Sequence, residues 1–349
     1  MILNKHNKFY QEDLDYILGI KGLDILREKS VLITGATGMV GVCLVDALMH
    51  FNEAGGAGIS IYAVGRDKNK ATARLGEYYS NPLFHFLEQD VRSPFPEDLS
   101  VDYIIPLASN THPLAYSKYP VETIDINVKG AEYALGKARQ CGAVVLYPST
   151  VEVYGNGEDV FDENYCGKLN LATSRACYTE SKRVSEALCQ SYIAEYGIDC
   201  KIVRLSRLFG PTMLESDTKA SSQFILKALA GEDIVLKSKG EQQFSYTYVA
   251  DAVQAILFVM LNGECGQAYN VACVPCNVRL VHFAEKCAEL AGRSVVFDVP
   301  TEIEARGYSI ANKAILSSAK LSSIGWTATR SFEEALHRTL MILNDIETV

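Results

Sequence analysis

From residue 31 onward, short runs of β-branched and apolar residues alternate with stretches whose apolar positions recur at helical spacing. The runs VLITG (31–35), ISIYAVG (59–65), FHFLEQD (84–90), VDYIIPLAS (101–109), AVVLYPS (143–149) and CKIVRLSRL (200–208) predict strands. Between them, 39–50, 121–140 and 178–197 predict amphipathic helices; in the second, Val121, Ile124, Ile126, Val128, Ala131, Ala134 and Leu135 carry the pattern. Six strands in this rhythm predict an α/β fold built on a doubly wound parallel sheet with crossover helices. After Gly210-Pro211 the pieces shorten: a helix near 221–230, a strand at 234–236, a helix at 249–261, a strand near 268–271, and helices at 279–291 and about 332–345. They predict a smaller lobe that alternates with the main sheet, because no Pro/Gly/Ser-rich or low-complexity stretch separates the two. Residues 8–29 predict a short helical extension that covers the surface ahead of the first strand.

Composition narrows the class. With 349 residues, 48% of them hydrophobic and 21% charged, the chain is long enough to bury a large core. Its 33 Lys+Arg against 42 Asp+Glu, a formal charge of −9, lacks the basic excess of a general nucleic-acid binder. No apolar run approaches the roughly 18 residues of a membrane span, and the start MILNKHNKFYQEDLDY is too polar for a secretory signal, so a cytoplasmic protein is expected. Ten cysteines are spread singly, which argues against a disulfide framework. Cys273 and Cys276 have the spacing of half a zinc site, but no second pair accompanies them and no metal is expected.

Thr34-Gly35-Ala36-Thr37-Gly38-Met39-Val40-Gly41 closes the first strand and opens a helix, the context in which a glycine-rich turn binds a dinucleotide. Gly35 allows the tight turn, Gly38 lets the backbone approach a pyrophosphate, and Gly41 lets the helix pack closely. The anion then sits on free N–H groups of the helix N-terminus. This turn divides the chain into an extension (1–29), a dinucleotide-binding domain (30–210) and a mainly substrate-binding lobe (211–349). At the end of the second strand, where an acid usually holds the ribose, stands Gly65, followed by Arg66 and Asp67. Arg66 either pairs with a 2′-phosphate, lies on the adenine, or is simply solvated, so NAD and NADP both stay open. Asp90-Val91 is a candidate adenine-edge contact.

Tyr178 and Lys182 are four apart on a helix and so share a face, about 6 Å apart along the axis. An ammonium near a phenol and a nicotinamide ribose favours the phenolate, whose pKa starts near 10. Ser149-Thr150 end the fifth strand, on the edge of the sheet where such folds bind ligands.

At these residues the chain resembles the extended short-chain dehydrogenase/reductase superfamily of Rossmann folds, and within it the NAD-dependent epimerase/dehydratase family acting on nucleotide sugars. The resemblance runs over about residues 30–345. It includes Thr34–Gly41, Leu107-Ala108-Ser109, Asn127, the segment from Tyr147 to Gly155, Tyr178-Thr-Glu-Ser-Lys182, Arg204 through Gly210-Pro211, and Tyr246-Thr-Tyr-Val-Ala-Asp251. It implies a nicotinamide cofactor held by Gly35, Thr37, Gly38, Met39, Val40, Gly41, Arg66, Asp90, Val91, Leu107, Ala108, Ser109, Tyr178 and Lys182, which removes a hydride from C4 of the sugar and later returns it. Tyr178 is then the base for the 4-OH proton, Lys182 its tuner, and Thr150, with Ser149 beside it, the partner of the 4-oxygen.

The residues after Thr150 steer the outcome. Val151 cannot protonate a leaving 6-hydroxyl, whereas Glu152 either acts as acid or base near C5 or merely caps a loop. Arg306 is similar to an arginine that reaches the sugar in decarboxylating members, with a plain surface position as the alternative. Two family arginines are missing: Phe244 occupies one position, where it stacks on a base or lines an apolar pocket, and Lys219 lies near the other. The resemblance therefore implies decarboxylation or 4,6-dehydration of a nucleotide sugar, with 4-epimerisation as the alternative. A non-catalytic dinucleotide sensor, the rival from another class, typically lacks the Tyr and Lys pair. The family also implies a homodimer joined through 121–140 and 178–197.

Overall fold

Val31, Leu32 and Ile33 are consecutive and all fully buried, so the first strand is covered on both faces, as the centre of a parallel sheet requires. The computed structural model describes residues 3–111, 113–157, 160–298 and 313–345. The elements run α1 (Lys8–Leu18), β1 (Ser30–Thr34), α2 (Met39–Gly55), β2 (Ser60–Gly65), α3 (Lys68–Leu75), β3 (Phe84–Glu88), β4 (Tyr103–Pro106), α4 (Pro113–Lys118), α5 (Pro120–Cys141) and β5 (Val144–Thr150). They continue with β6 (Val160–Phe161), α6 (Ala176–Tyr196), β7 (Cys200–Leu205), β8 (Arg207–Phe209), α7 (Ala220–Leu229), β9 (Ile234–Leu236) and β10 (Gln243–Tyr248). Then come α8 (Val249–Asn262), β11 (Ala268–Val271), β12 (Asn277–Arg279), α9 (Leu280–Ala291), β13 (Val295–Phe297) and β14 (Lys313–Leu316), ahead of a last helix at Phe332–Asn344.

Seven strands form the main sheet in the order β11-β7-β5-β4-β1-β2-β3, every pairing parallel. The order reverses at β1, whose neighbours are β2 and β4, and this switch point opens a crevice at the C-terminal strand ends. One face is packed by α2 and α8, through Val42, Leu44, Val253 and Ile256 among others. The opposite face is packed by α5 and α6, through Ile126, Ala131, Ala134 and Cys189. The doubly wound α/β expectation is met. Among the described residues no helix is long and apolar enough to cross a membrane.

Three expectations shift. The segment expected as one strand over 200–208 is two: β7 stays in the main sheet, and beyond Ser206 the chain pairs with β10 in a second sheet, Tyr246 opposite Arg207. The seventh strand, β11, returns to the main sheet from the C-terminal part of the chain, Tyr269 opposite Val203.

The third concerns α1, which is no mere surface cover: Tyr10, Leu14 and Ile17 are buried to 2% exposure or less. The cause lies in α8, where every residue from Val249 to Met260 is buried. A helix apolar on nearly every side needs cover away from the sheet, and α1 supplies it, meeting the polar Asp251 and Gln254 as well. Tyr16 donates to Asp251 at 2.6 Å, and Gln254 donates to the Tyr16 carbonyl at 2.5 Å. On the same helix Asp13, 1% exposed, is held by Arg338 at 2.9 Å, by Arg330 at 2.8 Å and by the Tyr248 hydroxyl. Burial raises its pKa while these partners oppose the rise.

Cys273 and Cys276 are both buried and disulfide-bonded across three residues, a loop too short to act as a staple, while eight other cysteines are free.

Candidate active site

The site is built where β1 and β4 end. Gly35 has φ +63°, and a Cβ there would stand 2.8 Å from the Ala108 backbone, so only glycine fits between the two strand ends. The same two ends are tied by the Ala108 N–H donating to Thr34 Oγ1 at 3.1 Å. A Cβ on Gly41 would meet the Gly35 carbonyl at 2.4 Å, so this glycine lets the first turn of α2 fold back on the loop. Gly38 differs. Its backbone is extended, and a Cβ would meet only the Gly35 carbonyl, at 3.2 Å.

Gly38 caps α2 without a side-chain hydrogen bond, and the first turn carries no acid. The amides there are left open for an anion. Thr37 is buried, Val40 packs on the core, and the Met39 carbonyl accepts from Thr212 Oγ1 at 2.8 Å, so the turn is held from behind. A backbone cradle closed by two glycines and open at a third fits a dinucleotide pyrophosphate.

At the adenosine end Arg66 lies between two carboxylates, 2.7 Å from Glu122 and 3.9 Å from Asp90. Asp90 is also gripped by Arg92 at 2.6 Å, whose hydrogen bonds hold the carboxyl below its usual range. A 2′-phosphate on Arg66 would have to approach these acids. Val91 is buried against Gly130, with its side chain in the core.

Ser149 and Thr150 end β5, both buried, and face α6, whose helical spacing puts Tyr178 and Lys182 on one buried side. The Thr150 hydroxyl is close enough to the Tyr178 phenol to act on its pKa. Burial pushes the phenol well up; the Thr150 hydroxyl pulls it down, Glu152 and Tyr116 push it further up, and Arg175 pulls it down. The expected influence of Lys182 on Tyr178 is absent from this balance. Its Nζ instead donates to the Pro148 carbonyl at 2.8 Å, and burial lowers its pKa to about 8. Around it, Asn127 Oδ1, Tyr147 Oη and Ser149 Oγ are buried without a hydrogen-bond partner. Such unsatisfied polar atoms are costly unless a ligand or water meets them, and they lie where the resemblance puts the nicotinamide end.

Over Tyr178 sits a stack that the sequence reading missed. Tyr116 of α4 lies on Tyr178 with ring centroids 5.6 Å apart, and the Arg175 guanidinium lies 4.5 Å from the Tyr116 ring. Arg175 also pairs with Glu152 at 3.1 Å, which ties that carboxylate to the stack. Val151 turns into an apolar cluster with Tyr154 and Phe161.

The expected substrate contacts fare differently. Lys219 is paired with Asp217 at 2.7 Å. Phe244 is buried, its ring 3.7 Å beneath the guanidinium of Arg207. Leu107, Ala108 and Ser109 follow β4 at the crevice, and Arg306 lies outside the described residues. Nothing in the spacing of Tyr116 or Arg175 flagged them, whereas Arg207 stands inside the segment from Arg204 to Pro211 and was read only as strand.

Residues 31–272 match the family described as NAD dependent epimerase/dehydratase. UDP-glucuronic acid decarboxylase 1 of Xenopus tropicalis is 32% identical over 322 residues, spanning 92% of this chain and 73% of that protein. UDP-glucuronic acid decarboxylase 3 of Arabidopsis thaliana is 33% identical over 311 residues, 88% of this chain and 86% of that protein. Among solved structures, dTDP-glucose 4,6-dehydratase from Streptomyces venezuelae with NAD bound shares the fold, with a TM-score of 0.75 at 21% identity over 90% of this chain and 96% of that one.

Proposed function

We propose, from the premise that this chain belongs to the NAD-dependent epimerase/dehydratase family, that it decarboxylates a uridine-diphosphate uronic acid to the corresponding pentose. The observation that carries this reading is the Tyr178–Tyr116–Arg175–Glu152 stack, which sets a cation and a carboxylate beside the proton-transfer tyrosine. Arg175 already accepts one carboxylate, and its planar fork suits the C6 carboxylate of a uronic acid. Named relatives of both plant and animal origin, similar over most of this chain, act on UDP-glucuronic acid by their names.

NAD, held by the Gly35–Gly41 turn and by Lys182, supplies the hydride acceptor and donor for C4 of the sugar. The chain's own residues handle the protons. Tyr178 takes the proton of the 4-hydroxyl, with Thr150 sharing its hydrogen bond, and Lys182 orients the ribose from the buried side. Once C4 is a ketone, the C6 carboxylate is β to a carbonyl. The electrons of the C5–C6 bond then flow toward O4, carbon dioxide leaves, and C5 takes a proton, for which Glu152 is the group at hand. The Arg66–Glu122–Asp90 arrangement favours NAD over NADP, since a 2′-phosphate would face two acids.

A 4-epimerase is the second reading, favoured by Val151, which has no proton to give and faces an apolar cluster. The same residue argues against 4,6-dehydration, which needs an acid for the 6-hydroxyl. The Tyr178 and Lys182 pair argues against a sensor without activity. The protein works in the cytoplasm, a setting in keeping with its eight free thiols, and two copies pair through α5 and α6.

Incubation with UDP-glucuronic acid, read by NMR of the products and by carbon dioxide release, tests the assignment. A UDP-pentose with stoichiometric carbon dioxide is the expected result. UDP-galacturonic acid without gas establishes the epimerase instead, and recovery of unchanged substrate overturns both.

A further inference from the structure

Arg207 stands in a special place. The chain leaves the main sheet at Leu205, whose register partner is Thr150 of the catalytic strand end. Two residues later Arg207 opens β8, opposite Tyr246 of β10, and so stands just past the C-terminal edge of the sheet, where that sheet meets the lobe. Its guanidinium lies flat on the buried ring of Phe244 at 3.7 Å, and its buried Nε has no hydrogen-bond partner.

Four arginines and lysines around the crevice are matched by an acid, Arg175 by Glu152, Arg204 by Glu186, Arg66 by Glu122 and Lys219 by Asp217, while the buried Lys182 donates to the Pro148 carbonyl. Among the described residues no carboxylate pairs with Arg207. Its charge is felt at Tyr116 and Tyr246, whose phenols it draws down against the rise that burial causes. A half-buried cation without a counter-charge is costly by itself, and the cost is relieved when an anion arrives.

We propose that Arg207, held flat by Phe244, grips the diphosphate of the nucleotide sugar. The proposal rests on the nucleotide-sugar reading above. Diphosphate rather than sugar carboxylate is the anion because Arg175 already stands beside Tyr178. In a nucleotide sugar the diphosphate hangs from C1, across the ring from C4, so a cation supplied from the lobe strand rather than from the Tyr178 helix is placed to meet it. An aromatic face also fixes the plane of the fork for two parallel bonds to phosphate oxygens. In this proposal Phe244 is the platform of an arginine supplied from the adjacent strand.

The test is calorimetric titration of the NAD-loaded protein with UDP, UDP-glucose and UDP-glucuronic acid. Arg207→Ala is expected to weaken all three by about tenfold or more, with NAD affinity and Tm unchanged. Arg207→Lys, which keeps the charge but not the fork, falls between. Phe244→Leu raises KM severalfold and spares kcat. Phe244→Arg placed on the Arg207→Ala background restores much of the UDP affinity, a rescue that a purely structural role would not give. Wild-type UDP affinity in Arg207→Ala overturns the proposal, as does a loss confined to UDP-glucuronic acid, which would assign Arg207 to the carboxylate. Failure of the wild type to bind any of the three overturns the nucleotide-sugar reading itself.

Discussion

Lys182 shows how one side chain is tuned against stability. In the unfolded chain it keeps its proton to its ordinary value of 10.5, whereas in the fold burial lowers that value to about 8. Below pH 8 both states are charged, and the folded one bears a buried ammonium. Between pH 8 and 10.5 only the unfolded state still holds the proton, so stability from this group rises with pH across that window. Lys182→Met should therefore abolish turnover yet make the ligand-free protein more stable at pH 7, by roughly 2 kcal/mol after allowing for the lost bond to Pro148. Denaturant titrations at pH 7 and 10.5 check it, the advantage vanishing at the higher pH. Tyr178→Phe should cost about a hundredfold to ten-thousandfold in rate with little change in either titration.

The Tyr178 and Lys182 pair was legible because helical spacing fixes which residues share a face. Tyr116, Arg175 and Arg207 were not: Tyr116 comes from the short helix α4, Arg175 caps α6 and Arg207 follows a strand exchange, placements that no local spacing encodes.

At the scale of elements the glycine turn separates binding from folding. Gly38 offers a side chain more room than Gly41, its one close neighbour being the Gly35 carbonyl at 3.2 Å, so Gly38→Val should lower the melting temperature less than Gly41→Ala and remove NAD binding. Gly41→Ala forces a carbon to within 2.4 Å of the Gly35 carbonyl, and should destabilise the protein by about 1–3 kcal/mol. Thermal melts with and without NAD distinguish the two; equal loss of stability in both variants would refute the division of labour.

Strand and helix positions were readable from periodicity across most of the chain, down to β9 and β11. What escaped were α3, the strands β10 and β14 of the second sheet, and partnership. That β11 joins the main sheet depends on its pairing with β7, more than 60 residues earlier. That α1 is core depends on α8 needing cover on every side. Neither fact is written in the local sequence of the element concerned.

For the whole molecule, the outer faces of α5 and α6 leave Val121, Ile124 and Val184 exposed at 73, 44 and 47%. Apolar side chains clustered on two packed helices suit an isologous contact. Sedimentation at micromolar concentration is expected to give a dimer, and Ile124→Glu with Val184→Glu a monomer of unchanged fold; a monomeric wild type would remove the pairing.

Asp13 sets a different kind of constraint, one of time. Its partners Arg330 and Arg338 lie more than 300 positions later in the chain, and Asn7 is bound to Asp345 at 2.8 Å. A protein emerges from the ribosome from its N-terminus, so α1 is made long before the residues that seat it. Until Arg330 and Arg338 are made, the acid on α1 lacks both guanidinium partners that hold it in the fold. Contacts of such long sequence separation form late, and Asp13 waits unpaired while the more than 300 residues between it and Arg330 are made.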